Sequence, residues 1–489
     1  MPPNTPPPSP TVGGSANQIN EDELEEADIV EVIDLDDLEG NEELDDMEEN
    51  EINLENDNDM SFSEASGSTE VPKTVEVNSV GAFSLHKKSV FTCDINPKNN
   101  VFLAVSGGED DNAFMWNWKT GNLVCELGSA SRGISTFKDS VVFTRFNKDG
   151  TLVAAADMSG IIKVWRLPKS IEEGSDSQSI SEIKNEPLWS FETSDISWLK
   201  WHDAAPNVLF TGTEESELWM WKVPSGDSKI YMGKGEKVET ALLLPDGKRI
   251  AVAYADGSIK LFDLKTGEVL NSFVHYDKSN SSDDNETFVS PIASLDVRTD
   301  GGGQILASGG VNGITKIYNT TTGKTIGNLL CGGSNSQETD SDIPNTTTVE
   351  AIVFSNGEHN VVVTGTLSGK VTIWDVSTQV SRHSINIGDG VVKILWRNNN
   401  ASSTNIVPSS ERKNSSQIFV ATLDGLVKII DTRTGKVIGE CSGHTASILD
   451  ICQSPDGTTL ISCSDDGDCR VFDVEQILNG AQNIDMEST

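Results

Sequence analysis

The chain has 489 residues, with 76 Asp and Glu against 36 Lys and Arg, for a formal net charge of −40 at pH 7. A surface of that sign repels phosphate backbones, which argues against direct nucleic-acid binding and makes a basic polypeptide the natural partner. No apolar stretch approaches the ~20 residues of a membrane span, and MPPNTPPPSPTVGG is neither basic nor apolar enough for a signal peptide; the expected setting is the cytoplasm, with the nucleus also open to it.

Residues 1–72 carry 23 of the acidic residues and no Lys or Arg, which leaves the remainder at −17. Positions 1–20 are rich in Pro, Ser and Asn, a composition that cannot bury a core, so disorder is expected. From 21 to 60 the acids are interrupted by apolar residues, notably in EADIVEVIDLDDLEG. Such a stretch serves as a solvating tail. The sharper alternative is a short linear motif in which Ile29, Val30, Val32, Ile33 and Leu35 form a sticky strand that pairs with a partner's sheet edge. VPKTVEVNSVGAFSLHK follows and is strand-like.

Beyond it, a turn residue six positions before a bulky apolar anchor recurs eight times: Asp110 to Trp116, Ser159 to Trp165, Glu215 to Trp221, Asp256 to Phe262, Asn312 to Tyr318, Ser368 to Trp374, Asp424 to Ile430 and Asp466 to Phe472. The anchors lie 49, 56, 41, 56, 56, 56 and 42 residues apart. The longer gaps contain polar inserts such as YDKSNSSDDNET, which belong in surface loops. Each unit also holds earlier strands ending in turns, as in ALLLPDGKRIAVAYAD, with no helical period. Four short strands per unit at a period near 41 predict an all-β, eight-bladed β-propeller over residues 74–475, preceded by a disordered acidic extension at 1–72 and followed by a short tail at 476–489. The last unit has no convincing outer strand, so residues 74–85 are expected to supply it and close the ring.

The seven Cys at 93, 125, 331, 441, 452, 463 and 469 form no CxxC pair and read as reduced core thiols. Six His, two of them at repeated positions, and the absence of a phosphate loop, nucleophile elbow or metal-spaced cluster predict no catalysis, no metal and no cofactor. No feature calls for an oligomer, and a monomer is expected.

The units resemble WD repeats, although the literal Trp-Asp survives only at Trp374 and Asp375. The resemblance implies a buried hydrogen-bond chain of His, Ser or Thr, Asp and Trp in each blade. All four are found in the first unit as His86, Ser106, Asp110 and Trp116, and three in the last as His444, Ser462 and Asp466, while the other units lack the His. It also implies that the turn before the third strand and the approach to the first share one face around the channel mouth. Those turns carry Glu109, Asp111, Asp157, Glu214, Glu215, Asp256, Asp424 and Asp465; the approaches add Asp139, Asp195, Glu236, Glu239, Glu350 and Asp389. A ring of carboxylates on one rim would focus a negative field and hold an Arg- and Lys-rich peptide by several charge-assisted hydrogen bonds. Trp198, Trp201 and Trp396 on inner strands are expected in the core, with Trp198 able to offer a ring face to an Arg.

The set IVEVIDLDDL, SGGEDDNAFMW, DMSGIIKVW, FETSDISWLKWHDAAPNVLFTGT, LWMWKVPSGD, LPDGKRIAVAYADGSIKLFDL and SGHTASILD resembles the WD-repeat family of the angio-associated migratory cell protein over residues 26–475. Its fungal relative is the dedicated chaperone of the L-sixteen-type (eukaryotic L-ten) ribosomal protein of the large subunit. The resemblance implies a chaperone whose acidic propeller face holds the basic N-terminal region of that ribosomal protein during ribosome assembly. Animal relatives imply a signalling scaffold in cell migration instead, and an acidic histone chaperone is a third class that the charge allows.

Overall fold

In the computed structural model, which describes residues 77–128, 137–168, 186–275, 290–299, 302–331, 347–355, 360–398 and 416–487, eight antiparallel four-stranded sheets follow one another along the chain. Within each blade the strands are named a to d from the axis outward. Blade 1 spans Val90–Leu127, blade 2 Val141–Glu192, blade 3 Ile196–Met232, blade 4 Val238–Val274, blade 5 Ile292–Leu330, blade 6 Val349–Asn386 and blade 7 Val391–Cys441. Blade 8 takes strands a to c from Ile448–Asp473 and its outer strand from Gly81–Phe83, which runs antiparallel to Cys469–Val471. Each a strand touches the a strands of both neighbouring blades, so the eight close a ring. The approach to the closing strand is fixed as well: Asn78 exchanges backbone and side-chain hydrogen bonds with Ser442, and its amide donates to the Glu440 carbonyl at 2.7 Å.

Burial follows position in the blade. The b strands, such as Leu152–Asp157 and Val361–Thr366, are buried throughout, whereas d strands such as Asp227–Met232 expose most of their residues. Eight apolar cores lie between successive blades, and all eight predicted anchors lie in them, none more than 9 % exposed. Close blade contact demands small residues on the b strands. A Cβ on Gly107 would sit 2.6 Å from Val141 of the next a strand, and one on Gly365 2.5 Å from Val391. Blade 3 lacks the turn Gly of its neighbours, yet it is regular because Ser216 adopts φ +73° in its place.

After Asp473 the chain forms helix α1, Val474–Glu487, where the sequence predicts only a tail from 476. Asp473 caps it by accepting the Gln476 N–H at 3.0 Å. Ile477 and Leu478 pack into the core between blades 7 and 8, against Gly439 of the blade 7 d strand. The buried Arg397 guanidinium ties the first turn down through Glu475. No helix among the described residues is long and apolar enough to cross a membrane.

Candidate functional site

In every blade a backbone hydrogen bond joins the b–c turn to the approach of the a strand: Glu109 N to Ser89 O, Met158 to Ser140, Glu214 to Asp195, Ala255 to Lys237, Val311 to Pro291, Leu367 to Thr348, Leu423 to Gly390 and Asp465 to Ser447. Both sets of residues therefore lie on one face of the ring, beside the channel mouth. Carboxylates stand on that face in blades 1, 2, 3, 4, 7 and 8. Asp139, Asp195, Glu214, Glu215, Glu236, Asp389, Asp424 and Asp465 are exposed; Glu109, Asp111, Glu239 and Asp256 are half-buried. The turns of blades 5 and 6 carry Val311 with Asn312 and Leu367 with Ser368, and there Glu350 is the acid, its carboxyl pushed up by burial. Crowding shows at the junction of blades 1 and 2, where burial and then the charge of Asp139, with Asp110 and Asp157 behind it, push the Asp111 carboxyl up.

Asp157 does not belong to the rim. It ends the blade 2 b strand fully buried, and its carboxylate accepts the N–H groups of Lys138 at 2.9 Å and Ile161 at 2.8 Å and the Ser159 hydroxyl at 3.0 Å, holding the turn together. Four lysines pair with acids on that face: Lys88 with Glu109 at 3.4 Å, Lys138 with Glu192 at 2.6 Å, Lys237 with Glu214 at 2.6 Å and, more deeply, Lys428 with Asp424 at 3.7 Å. The first three are exposed pairs of small worth that a stronger cation displaces.

Deeper in the channel lie acids that the sequence reading passed over. Asp94 and Asp296 hold the fifth position of the a strands of blades 1 and 5, and each clamps the next blade by accepting a backbone N–H, Phe146 at 2.8 Å and Phe354 at 2.6 Å. Burial pushes both carboxyls up to about 6. An acid raised in the fold binds more protons folded than unfolded between its ordinary value and 6, so its contribution to stability falls as pH rises through that window. Asp296→Asn should therefore gain stability relative to the native chain as pH rises from about 4 to about 6, and the difference should level off above that, read by urea unfolding. A difference that does not change with pH would show that Asp296 titrates normally.

Blade 1 joins His86 to Asp110 and to Ser106, both at 2.9 Å, and blade 8 joins His444 to Asp466 at 2.9 Å and to Ser462 at 2.7 Å. The hydrogen bond from His444 holds Asp466 down near 2 against the upward pull of burial. Trp116 does not complete its chain: its ring N–H has no acceptor among the described residues, and its ring stacks on Phe83 of the closing strand at 4.8 Å.

Two stretches, 77–117 and 435–473, match the model described as WD domain, G-beta repeat, and 144–295 matches the Anaphase-promoting complex subunit 4 WD40 domain. Human Angio-associated migratory cell protein is 35 % identical over 412 residues, covering 84 % of this chain and 82 % of that protein. The chain belongs to the WD-repeat family of the angio-associated migratory cell protein. Ribosome assembly protein SQT1 of Saccharomyces cerevisiae is 22 % identical over 81 % of this chain and 87 % of its own. Among solved structures, Chaetomium thermophilum Sqt1 bound to the N-terminus of the ribosomal protein L10 superposes with a TM-score of 0.66, at 20 % identity over 82 % of this chain and all of that one.

Within this WD-repeat family fold, blade 5 has a His that sequence reading missed. His275 donates to or accepts from Ser308 at 2.6 Å, and Ser308 meets the Tyr318 hydroxyl at 3.1 Å, so the chain runs with Tyr in place of Trp. Blade 6 puts Cys331 in that place, 3.4 Å from Thr364, which accepts the Trp374 ring N–H at 2.9 Å. The signal was present, because each of these residues sits just after a d strand, but inserts at 276–289 and 332–346 separate it from its own a strand. Trp201 and Trp396 are buried as expected, and Trp198 is half-buried against the core between blades 3 and 4. The apolar motif Ile29 to Leu35 lies outside the described residues.

Proposed function

We propose that the chain is a non-catalytic binding protein whose acidic turn face holds a basic protein segment, and that its client is the N-terminal region of a newly made large-subunit ribosomal protein, shielded there until assembly. The observation that carries this reading is the set of backbone bonds bringing carboxylates from six blades to one face. It is supported by the solved relative bound to the N-terminus of ribosomal protein L10. A nascent basic segment would otherwise bind RNA without discrimination, and release follows when ribosomal RNA outcompetes the ring.

Binding of that N-terminal peptide to the purified chain should weaken at least about tenfold between about 0.05 M and about 0.5 M salt. The double reversal Glu109→Lys with Glu215→Lys, two rim acids that hold no turn together, should weaken it by a further factor of about ten, mainly through slower association, with an unchanged melting temperature. Affinity that ignores both salt and reversal would refute the electrostatic seat. Affinity purification followed by mass spectrometry tests the client: ribosomal proteins are expected, whereas receptors and GTPase regulators would favour the signalling scaffold and histones the histone chaperone.

A further inference from the structure

All eight a strands carry the same irregularity. The pairing of a with b shifts register between the first and third residues of the a strand, which leaves the second residue out of the ladder. A bulge re-aims its side chain, and eight at the same depth make a collar just inside the acidic rim. The collar is two-sided. Through blades 7, 8, 1 and 2, contiguous because the ring closes, the bulged residues are Val392, Leu449, Phe91 and Val142. Across the channel, blades 3 to 6 present Ser197, Glu239, Ala293 and Glu350. The four large apolar residues are all half-buried, and none belongs to any of the eight apolar cores. A core role does not explain them.

The rim around that arc is acidic: Asp389 and Asp424 in blade 7, Asp465 in blade 8, Glu109 and Asp111 in blade 1 and Asp139 in blade 2. We propose that the arc Val392, Leu449, Phe91 and Val142 seats one bulky apolar or aromatic side chain of the client, while basic residues flanking it take the surrounding carboxylates. The client segment is then a bulky apolar residue set among Arg and Lys, not a uniformly basic stretch. This selectivity gives the carrier what charge alone does not, a way to tell one basic protein from the many others in the same compartment. The inference rests on the acidic face being the client's seat.

The test uses the full chain and two synthetic peptides of equal length and charge, a single Phe among Arg and Lys and its Phe→Gly counterpart, with binding read by fluorescence anisotropy at low and high salt. The native chain should prefer the Phe peptide by about tenfold, and the ratio should persist at high salt while both affinities fall. Leu449→Ser and Phe91→Ser should bring the ratio towards one while binding the Gly peptide as the native chain does. Equal, salt-sensitive binding of both peptides by the native chain would overturn the collar and leave the acidic seat standing. Failure of both peptides to bind at low salt would overturn the two together. The native-chain ratio alone decides the matter should a collar variant fold poorly.

Discussion

Removing residues 1–85 should abolish the cooperative unfolding of the ring, while removing 1–73, which leaves every described strand in place, should not lower its melting temperature. The difference lies in a few residues. Gly81–Phe83 covers the edge of Cys469–Asp473, and without it blade 8 ends on an unpaired strand. Phe83 is 1 % exposed, stacked on Trp116 and edge-on to Phe114 at 5.8 Å, so it belongs to the core that joins the last blade to the first. Phe83→Ala alone should cost about 3–5 kcal/mol, the range for truncating a buried aromatic. In the truncated chain that loss adds to the lost ladder and the lost Asn78 clamp on Ser442 and Glu440, and a closed ring has no second seam through which to redistribute them. Urea unfolding and gel filtration of the two truncations decide it. Coincident unfolding midpoints would mean that the ring closes without a strand from before blade 1.

What the sequence made legible was local. The turn six residues before an anchor is fixed by chain geometry within one hairpin, so all eight anchors could be placed without knowing what they touch. What it hid depends on register and on partners distant in the chain. Asp157 looks like Glu109, since both stand at a b–c turn; only pairing with Val141 turns its side chain inward to the turn amides. The collar could not be read at all, because which residue of an a strand leaves the ladder is set by its partner strand. Helix α1 was legible but passed over: Val474, Ile477, Leu478, Ala481 and Ile484 recur at i, i+3, i+4, i+7 and i+10, a helical stripe that Gly480 does not break. What the sequence did not show is its seat, where Ile477 and Leu478 find Gly439 and Arg397 finds Glu475. His275 was hidden by an insert, and Trp116 shows that the right residue at the right spacing need not make the expected bond.

The largest effect of a single charged residue should come from Asp450. It lies on the a strand of blade 8, its side chain 7 % exposed, and its carboxylate takes Lys393 of blade 7, Arg145 of blade 2 at 3.4 Å and the Cys93 N–H of blade 1 at 3.2 Å. Burial alone would raise its pKa, but Lys393 and Arg145 outweigh it and hold the carboxyl below its ordinary range. A depressed value means that the stabilisation is present at neutral pH and is lost only as pH falls below the ordinary carboxylate range. Asp450→Ala leaves two cations facing each other across the channel wall. It should cost about 3 kcal/mol, the lower end for a broken buried pair, since Lys393 and Arg145 are 34 % and 29 % exposed and recover some hydration. Lys393→Met should cost about 1 kcal/mol, because Arg145 still neutralises the carboxylate. Asp450→Ala should then cost less in the Lys393→Met background than alone, a coupling read from urea unfolding of the four chains. Strict additivity would show that the three charges act independently. The consequence reaches the binding face, because Lys393, Asp450 and Thr92, whose hydroxyl accepts from Arg145 at 2.7 Å, directly follow Val392, Leu449 and Phe91, and Arg145 lies three residues after Val142. The same four strands that present the apolar arc are thus tied together one step below it, and Asp450→Ala should blunt the preference for a Phe-bearing peptide even where the rim carboxylates are intact.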